Sequence, residues 1–256
     1  MPELATKATQ LFAELETLRS KQKIDAFTSK RLEHEAKKLL SVDAFSGYQI
    51  LGALSSFSGK IAEMRENYNK ALQLALTPAQ KSIVLHNHSI VLKDAGYLTE
   101  AVELSSQSYD LEAAELKLSN FVETCYRAGL FHRAIQYMSR VVLPKEIDFS
   151  QTIPLIVSFM DKHGVQDEEL QKMIEIAVSV LHEHRFFDFR SIYIGLVSDG
   201  DFTWFQYVIS VDCSVEEMVA MDCELATRLA EAELPKNLLS NFLVTYKFAE
   251  DDDETY

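Results

Sequence analysis

The sequence predicts a mainly α-helical protein, an array of helical hairpins followed by a small acidic α+β unit. Three observations carry that reading. Four of the eight glycines, Gly59, Gly96, Gly129 and Gly164, recur at intervals of 37, 33 and 35 residues, each between two amphipathic segments. Up to about His184 the apolar residues recur at the three-to-four spacing of a helix face. After His184 the period falls to two, and β-branched and aromatic residues take over. The expected divisions are 1–185 for the helical repeats, 186–248 for an α+β unit of order ββαβ, and 249–256 for an acidic tail. That tail, AEDDDETY, has no apolar content to bury and is expected to be disordered.

The chain of 256 residues, 47% hydrophobic and 25% charged, is long enough to bury a sizeable core. No run of about 18 apolar residues occurs, and MPELATKATQ lacks the apolar stretch of a secretory leader, so a membrane span and secretion are not expected. Three cysteines at unrelated spacings, Cys125, Cys213 and Cys223, form neither a disulfide framework nor a zinc pattern. They fit reduced thiols, and a cytoplasmic location is the expectation. The net charge of −14 is one-sided. Residues 1–163 hold 19 Lys/Arg and 19 Asp/Glu, whereas residues 164–256 hold 6 and 20. An acidic half repels phosphate backbones, which disfavours nucleic acid and favours a basic partner.

Each predicted element has a local reason. From Glu3 to about Lys21 the residues Leu4, Ala8, Leu11, Phe12, Leu15 and Leu18 form one helical stripe. From about Thr28 to Leu40, Leu32, Ala36, Leu39 and Leu40 form another, with Lys30, Arg31, Lys37 and Lys38 on a solvated face. Leu85–Leu111 is the clearest hairpin, two amphipathic segments meeting at Gly96. A glycine suits such a junction because a helix often ends on a left-handed residue, which glycine adopts without steric cost. Beyond a pause between Pro144 and Pro154, helices are expected at about Gln151–Lys162 and Asp167–His184. Strands are expected at 190–197, 202–211 and 242–248, with a hairpin turn over 198–201. Ser214 and Glu217 form a capping box that opens the intervening helix, whose stripe is Met218, Met221, Leu225, Leu229 and Ala232. A right-handed crossover makes the third strand parallel to the second, and the expectation places it beside the first.

In the first repeat Tyr48, Leu51, Gly52, Gly59, Tyr68 and Ala71 stand in register, with Met64 where a small residue is usual. The second contributes Gly96, Tyr97 and Ala101, and the third Tyr126, Gly129 and Ala134. On these residues the region from about 44 to 142 resembles the tetratricopeptide repeat (TPR) family, whose unit is a helix–turn–helix of about 34 residues. The resemblance implies an α-solenoid with a concave groove lined by the first helix of each unit. It places Gln49 and Ala53, then His86, Asn87, Ile90 and Lys93, then Asn120, Glu123 and Arg127 on that groove. The family's best-known groove grips a peptide C-terminal carboxylate with Lys, Arg and Asn side chains. Here Asn87 and Asn120 resemble that set, and His86 stands where a lysine is expected. The groove implied is a mixed polar one for an extended or helical segment.

Patterns that carry catalysis are scarce. His86 and His88, like His182 and His184, are two apart on a helix and point about 200° apart, so neither pair chelates one metal. Ser58-Gly59-Lys60 lacks the strand and first glycine of a phosphate loop. Asp199, Asp201 and Asp212 are the one carboxylate set near strand ends that could hold a divalent cation for an enzyme, although turn and helix-start chemistry explains all three. Of the sheet aromatics, Phe205 and Tyr207 read as core, and Trp204, on the other face, as a contact residue. The functional expectation is a non-catalytic, cofactor-free adaptor that binds a peptide or protein segment in the helical groove. The alternative is an inhibitor or regulator of a basic protein, acting through the acidic C-terminal unit.

Overall fold

A computed structural model describes residues 2–20, 25–138 and 149–249. The pause expected near Pro144 and tail residues 250–256 lie outside the described residues. In chain order the elements are α1 (Pro2–Ser20), α2 (Ala26–Leu39), α3 (Ala44–Phe57), α4 (Ile61–Leu74), α5 (Pro78–Asp94), α6 (Leu98–Leu111), α7 (Glu115–Arg127), α8 (Phe131–Met138), α9 (Phe149–His163) and α10 (Asp167–Glu183). They are followed by β1 (Ile192–Asp199), β2 (Phe202–Val211), α11 (Val215–Glu231), α12 (Lys236–Asn241) and β3 (Phe242–Phe248). The protein is thus mainly helical, with one three-stranded sheet in its C-terminal part. By compactness the chain divides into Met1–Lys117 and Leu118–Tyr256.

In the first unit consecutive helices pack as neighbours, α3 with α4 and α5 with α6, while α1 and α2 lie on α3. The stripes foreseen in the sequence are the buried faces: Ala8, Leu11 and Leu15 of α1 meet Leu32, Ala36 and Leu39 of α2 and Ile50, Leu51 and Leu54 of α3. The basic face of α2 is solvated and paired, with Lys37 on Glu33, Lys38 on Glu35 and Arg31 on Glu14. Helix α5 starts on a capping box, Thr77 with Gln80, and Pro78 occupies the first turn, where no N–H is needed.

The chain reverses between α5 and α6 through one specific terminus. Gly96 lies at φ 83°, its N–H donates to the Lys93 carbonyl, and the Tyr97 N–H donates back to Leu92 over 2.9 Å. These two bonds satisfy carbonyls that a helix end otherwise leaves without partners. The same pair of bonds closes α3, α7 and α9 at the other three spaced glycines. It also closes α10, where the left-handed residue is Arg185 at φ 64°. Ala101 and Ala134, five residues beyond their glycines, are fully buried, and so is Met64 at the matching place. Gly52 lies under the Tyr68 ring, where an added Cβ would come within 2.7 Å of a ring carbon.

In the second unit β1 and β2 are antiparallel, and β3 runs parallel to β2. The strand order is β1-β2-β3, so β3 pairs with β2 and not, as expected, beside β1. The cause is that β1 leaves one edge of β2 unpaired, and the connection through α11 and α12 brings β3 onto that edge without passing over β1. The turn is also tighter than expected: Asp199 pairs with Phe202, leaving Gly200 at φ 59° and Asp201 as a two-residue connection. Phe205, Tyr207 and Ile209 of β2 and Phe242, Val244 and Tyr246 of β3 are buried under helices. Phe205 meets Phe131, Phe242 meets Phe159, and the Tyr246 hydroxyl donates to the Ala177 carbonyl of α10. Helices α9 and α10, which the sequence reading grouped with the repeats, therefore pack on the sheet. The short helix α12, after Pro235, was not foreseen.

Candidate functional site

The residues that the repeat resemblance assigns to a groove fall in both compact units. In the first unit they lie on α3 and α5, which contact one another. The Asn87 amide donates to Gln49 Oε1 over 2.9 Å, and the Gln49 amide reaches the Phe45 carbonyl at 3.3 Å. Ala53, His86, Asn87 and Ile90 are half-buried. Gln49 and Lys93 are buried, so the expectation that both line an open surface is corrected. Helical spacing gives the direction of each side chain, but both are covered.

His86 is the chemically unusual member. Its Nδ1 is out of contact with solvent and has no hydrogen-bond partner among the described residues. Burial, then Lys117, Lys93 and Arg19, push its imidazole down to about 4, so the ring is neutral at pH 7. Two of these cations are themselves held in place. Arg19 bonds Asp94 through Nε and Nη2, and Lys117 pairs with Glu112. His88, on another side of α5, also has a buried nitrogen, Nε2, without a partner among the described residues. Its ring stacks on Tyr68 with centroids 4.6 Å apart. Burial pushes His88 down to about 4, against Glu100 and with Arg65.

Lys117 Nζ donates to Ser82 Oγ at 2.6 Å, a contact that superficially resembles a nucleophile and its base. Ser82 is fully buried and exchanges hydrogen bonds with Ser108, Oγ to O at 2.6 Å and O to Oγ at 2.8 Å. These bonds join α5 to α6 and hold Lys117 against both. Nothing in the sequence pattern signalled this cluster.

In the second unit Asn120 is buried, and Glu123 and Arg127 are half-buried. Arg127 is occupied: Nε bonds Glu123 at 3.0 Å, and Nη1 donates to the Phe189 and Arg190 carbonyls. The Tyr207 hydroxyl donates to the Arg127 carbonyl. Arg127 therefore braces the segment entering β1, which occupies the guanidinium that the resemblance places on the groove. Of the residues that the resemblance assigns to a groove, Ala53, His86, Asn87, Ile90, Glu123 and Arg127 are half-buried, and the last two are paired with each other.

The carboxylate set proposed for a cation is not assembled. Asp199 and Asp201 stand at one end of β2 and Asp212 at the other, and ten strand residues span about 30 Å. Among the described residues no group of three His, Cys, Asp or Glu side chains is placed to hold a metal. Cys125 is buried, and burial pushes its thiol up to about 12. One titratable cluster was missed: His132 lies between Asp167, Nδ1 to Oδ1 2.8 Å, and Asp161, Nε2 to Oδ1 3.0 Å. Asp167 also accepts the His132 and Arg133 backbone N–H groups at the start of α8. The only sequence signal was an Asp at a predicted helix start.

No helix among the described residues is long and apolar enough to cross a membrane. A comparison with protein-family models finds no match, and a comparison with curated proteins finds none either.

Proposed function

We propose that this protein is a TPR-like, non-catalytic binding scaffold that holds a peptide or protein segment on the α3 and α5 face of its helical half. The observation that carries this reading is His86: a half-buried imidazole, neutral at pH 7, on α5, which contacts α3. Three features support it further. Asn87 is fixed by Gln49, so its position is preorganised. Ala53 and Ile90 add half-buried apolar area beside polar groups. The glycine-closed hairpins supply the stiff helix pairs on which such a surface depends.

The test is peptide-display selection against the full chain, followed by affinity measurement with His86→Ala and Ile90→Asp. Selected peptides should lose about tenfold or more in affinity to either variant. Failure to select any peptide, or selection of peptides indifferent to both changes, would count against the scaffold reading.

A further inference from the structure

Among the described residues the sheet of the second unit buries the face of Phe205 and Tyr207 under helices, while its other face, apart from buried Val208, keeps much of its apolar surface exposed. Its register places Tyr193, Gly195 and Val197 of β1, Phe202, Trp204, Gln206 and Val208 of β2, and Leu243 and Thr245 of β3 on the opposite face. That face is more apolar than a solvated sheet surface usually is. Phe202 is 78% exposed, Tyr193 49% and Leu243 44%. Trp204, the one tryptophan of the chain, is half-buried directly across from Val197. Gly195 is covered by its own strand, since a Cβ there would come within 2.8 Å of the Tyr193 hydroxyl.

We propose that this open face is a docking surface for one amphipathic helix of a basic partner protein. A sheet face of this kind is stably buried by adding a layer, and three strands about 5 Å apart match the roughly 10 Å width of a single helix. Charge selects the occupant. Asp199 shares the open face, Asp201 lies in the adjoining turn, and Asp212 follows the far end of β2. Lys247 is the one basic residue in register on that face. Residues 164–256 carry 20 Asp/Glu against 6 Lys/Arg, so a second copy would bring like charge onto like. A helix with leucine-type residues on one side and lysine or arginine along its flanks satisfies both the apolar face and the acidic rim. This inference rests on the sheet alone and stands or falls independently of the helical scaffold.

Trp204 is a built-in reporter. Titrating the full chain with a synthetic amphipathic helix of leucine and lysine should give a saturable blue shift of its emission, weakened as salt rises from about 0.05 M to about 0.5 M. The counterpart peptide with glutamate for lysine should not bind. Leu243→Ser with Val197→Ser removes apolar area without changing charge and should weaken binding about tenfold or more. Phe202→Ser, at a largely exposed strand end, should weaken it in the same direction and guards against a folding defect in the double variant. The proposal is overturned if emission does not respond, if either serine variant binds as well as the parent, or if the glutamate peptide binds equally. Self-association of the full chain in sedimentation velocity that disappears in the serine variants would also overturn it, giving the face to a second copy.

Discussion

Asn87 and Gln49, 38 residues apart in sequence, are joined by a 2.9 Å hydrogen bond that ties α5 to α3. Gln49 is buried, so removing its partner strands a polar oxygen away from water. Asn87→Ala should therefore cost about 1–3 kcal/mol of stability. A double-mutant cycle with Gln49→Ala, read by urea unfolding, should return a coupling of about 1 kcal/mol. Additive single effects would mean that the bond is not formed in solution.

The five helix ends closed by that pair of bonds around a left-handed residue offer a matched pair of substitutions. Gly96→Ala forces a side chain into φ 83° and should destabilise by about 1–2 kcal/mol. Arg185→Gly relieves the same strain at φ 64° on an exposed residue. Its gain, at most about 1 kcal/mol, is reduced by the greater freedom of glycine in the unfolded chain. Thermal melts of both variants should move in opposite directions.

Acid should loosen the first unit. His86 and His88 are both pushed from 6.5 down to about 4, chiefly by burial. With the folded value below the unfolded one, the stability they contribute is present above about pH 6.5 and lost as pH falls towards 4. Each contributes on the order of 3 kcal/mol across that window. His88→Phe keeps the ring against Tyr68 and should flatten part of the loss. Urea midpoints at about pH 7.5 and about pH 5 check it, and an unchanged pH dependence in the variant contradicts it.

His132 should act in the opposite sense. Burial pulls its imidazole down, but the hydrogen bonds and charges of Asp161 and Asp167 outweigh that and hold it above its ordinary value. Stability from this raised group is complete below about pH 6.5 and is lost as pH rises through the folded value. Replacing it, His132→Asn, should remove that alkaline decline while leaving the acid response of His86 and His88 in place. An NMR titration of the ring protons should likewise place His132 above a free histidine. A midpoint at or below the ordinary value would contradict the assignment.

Much of the scaffold was legible because each reversal needs a particular backbone state. Gly59, Gly96, Gly129 and Gly164 marked helix ends through the conformation that glycine tolerates, and all four adopt it. Arg185 performs the same task without a glycine, so no periodic residue revealed it. The candidate site was less legible. Periodicity shows which way Gln49, Lys93 and Asn120 point, but burial depends on how closely the next helix approaches. Arg127 is claimed by a carbonyl 62 residues away, at Phe189, and His132 by carboxylates on two other helices. Such long-range pairings leave no local pattern. The sheet faces, in contrast, were readable from the alternation over 204–207 of β2, with Phe205 and Tyr207 inward and Trp204 outward, whereas Val208, buried on the outward face, breaks that pattern.

The central claim is that a bound segment lies on α3 and α5. Amide hydrogen exchange of the full chain, with and without a display-selected peptide at saturation, tests this most directly. Protection should appear around residues 49–53 and 86–93 and should be absent from the same regions in His86→Ala at equal peptide concentration. Protection confined to other segments, or equal protection in the variant, would contradict the claim.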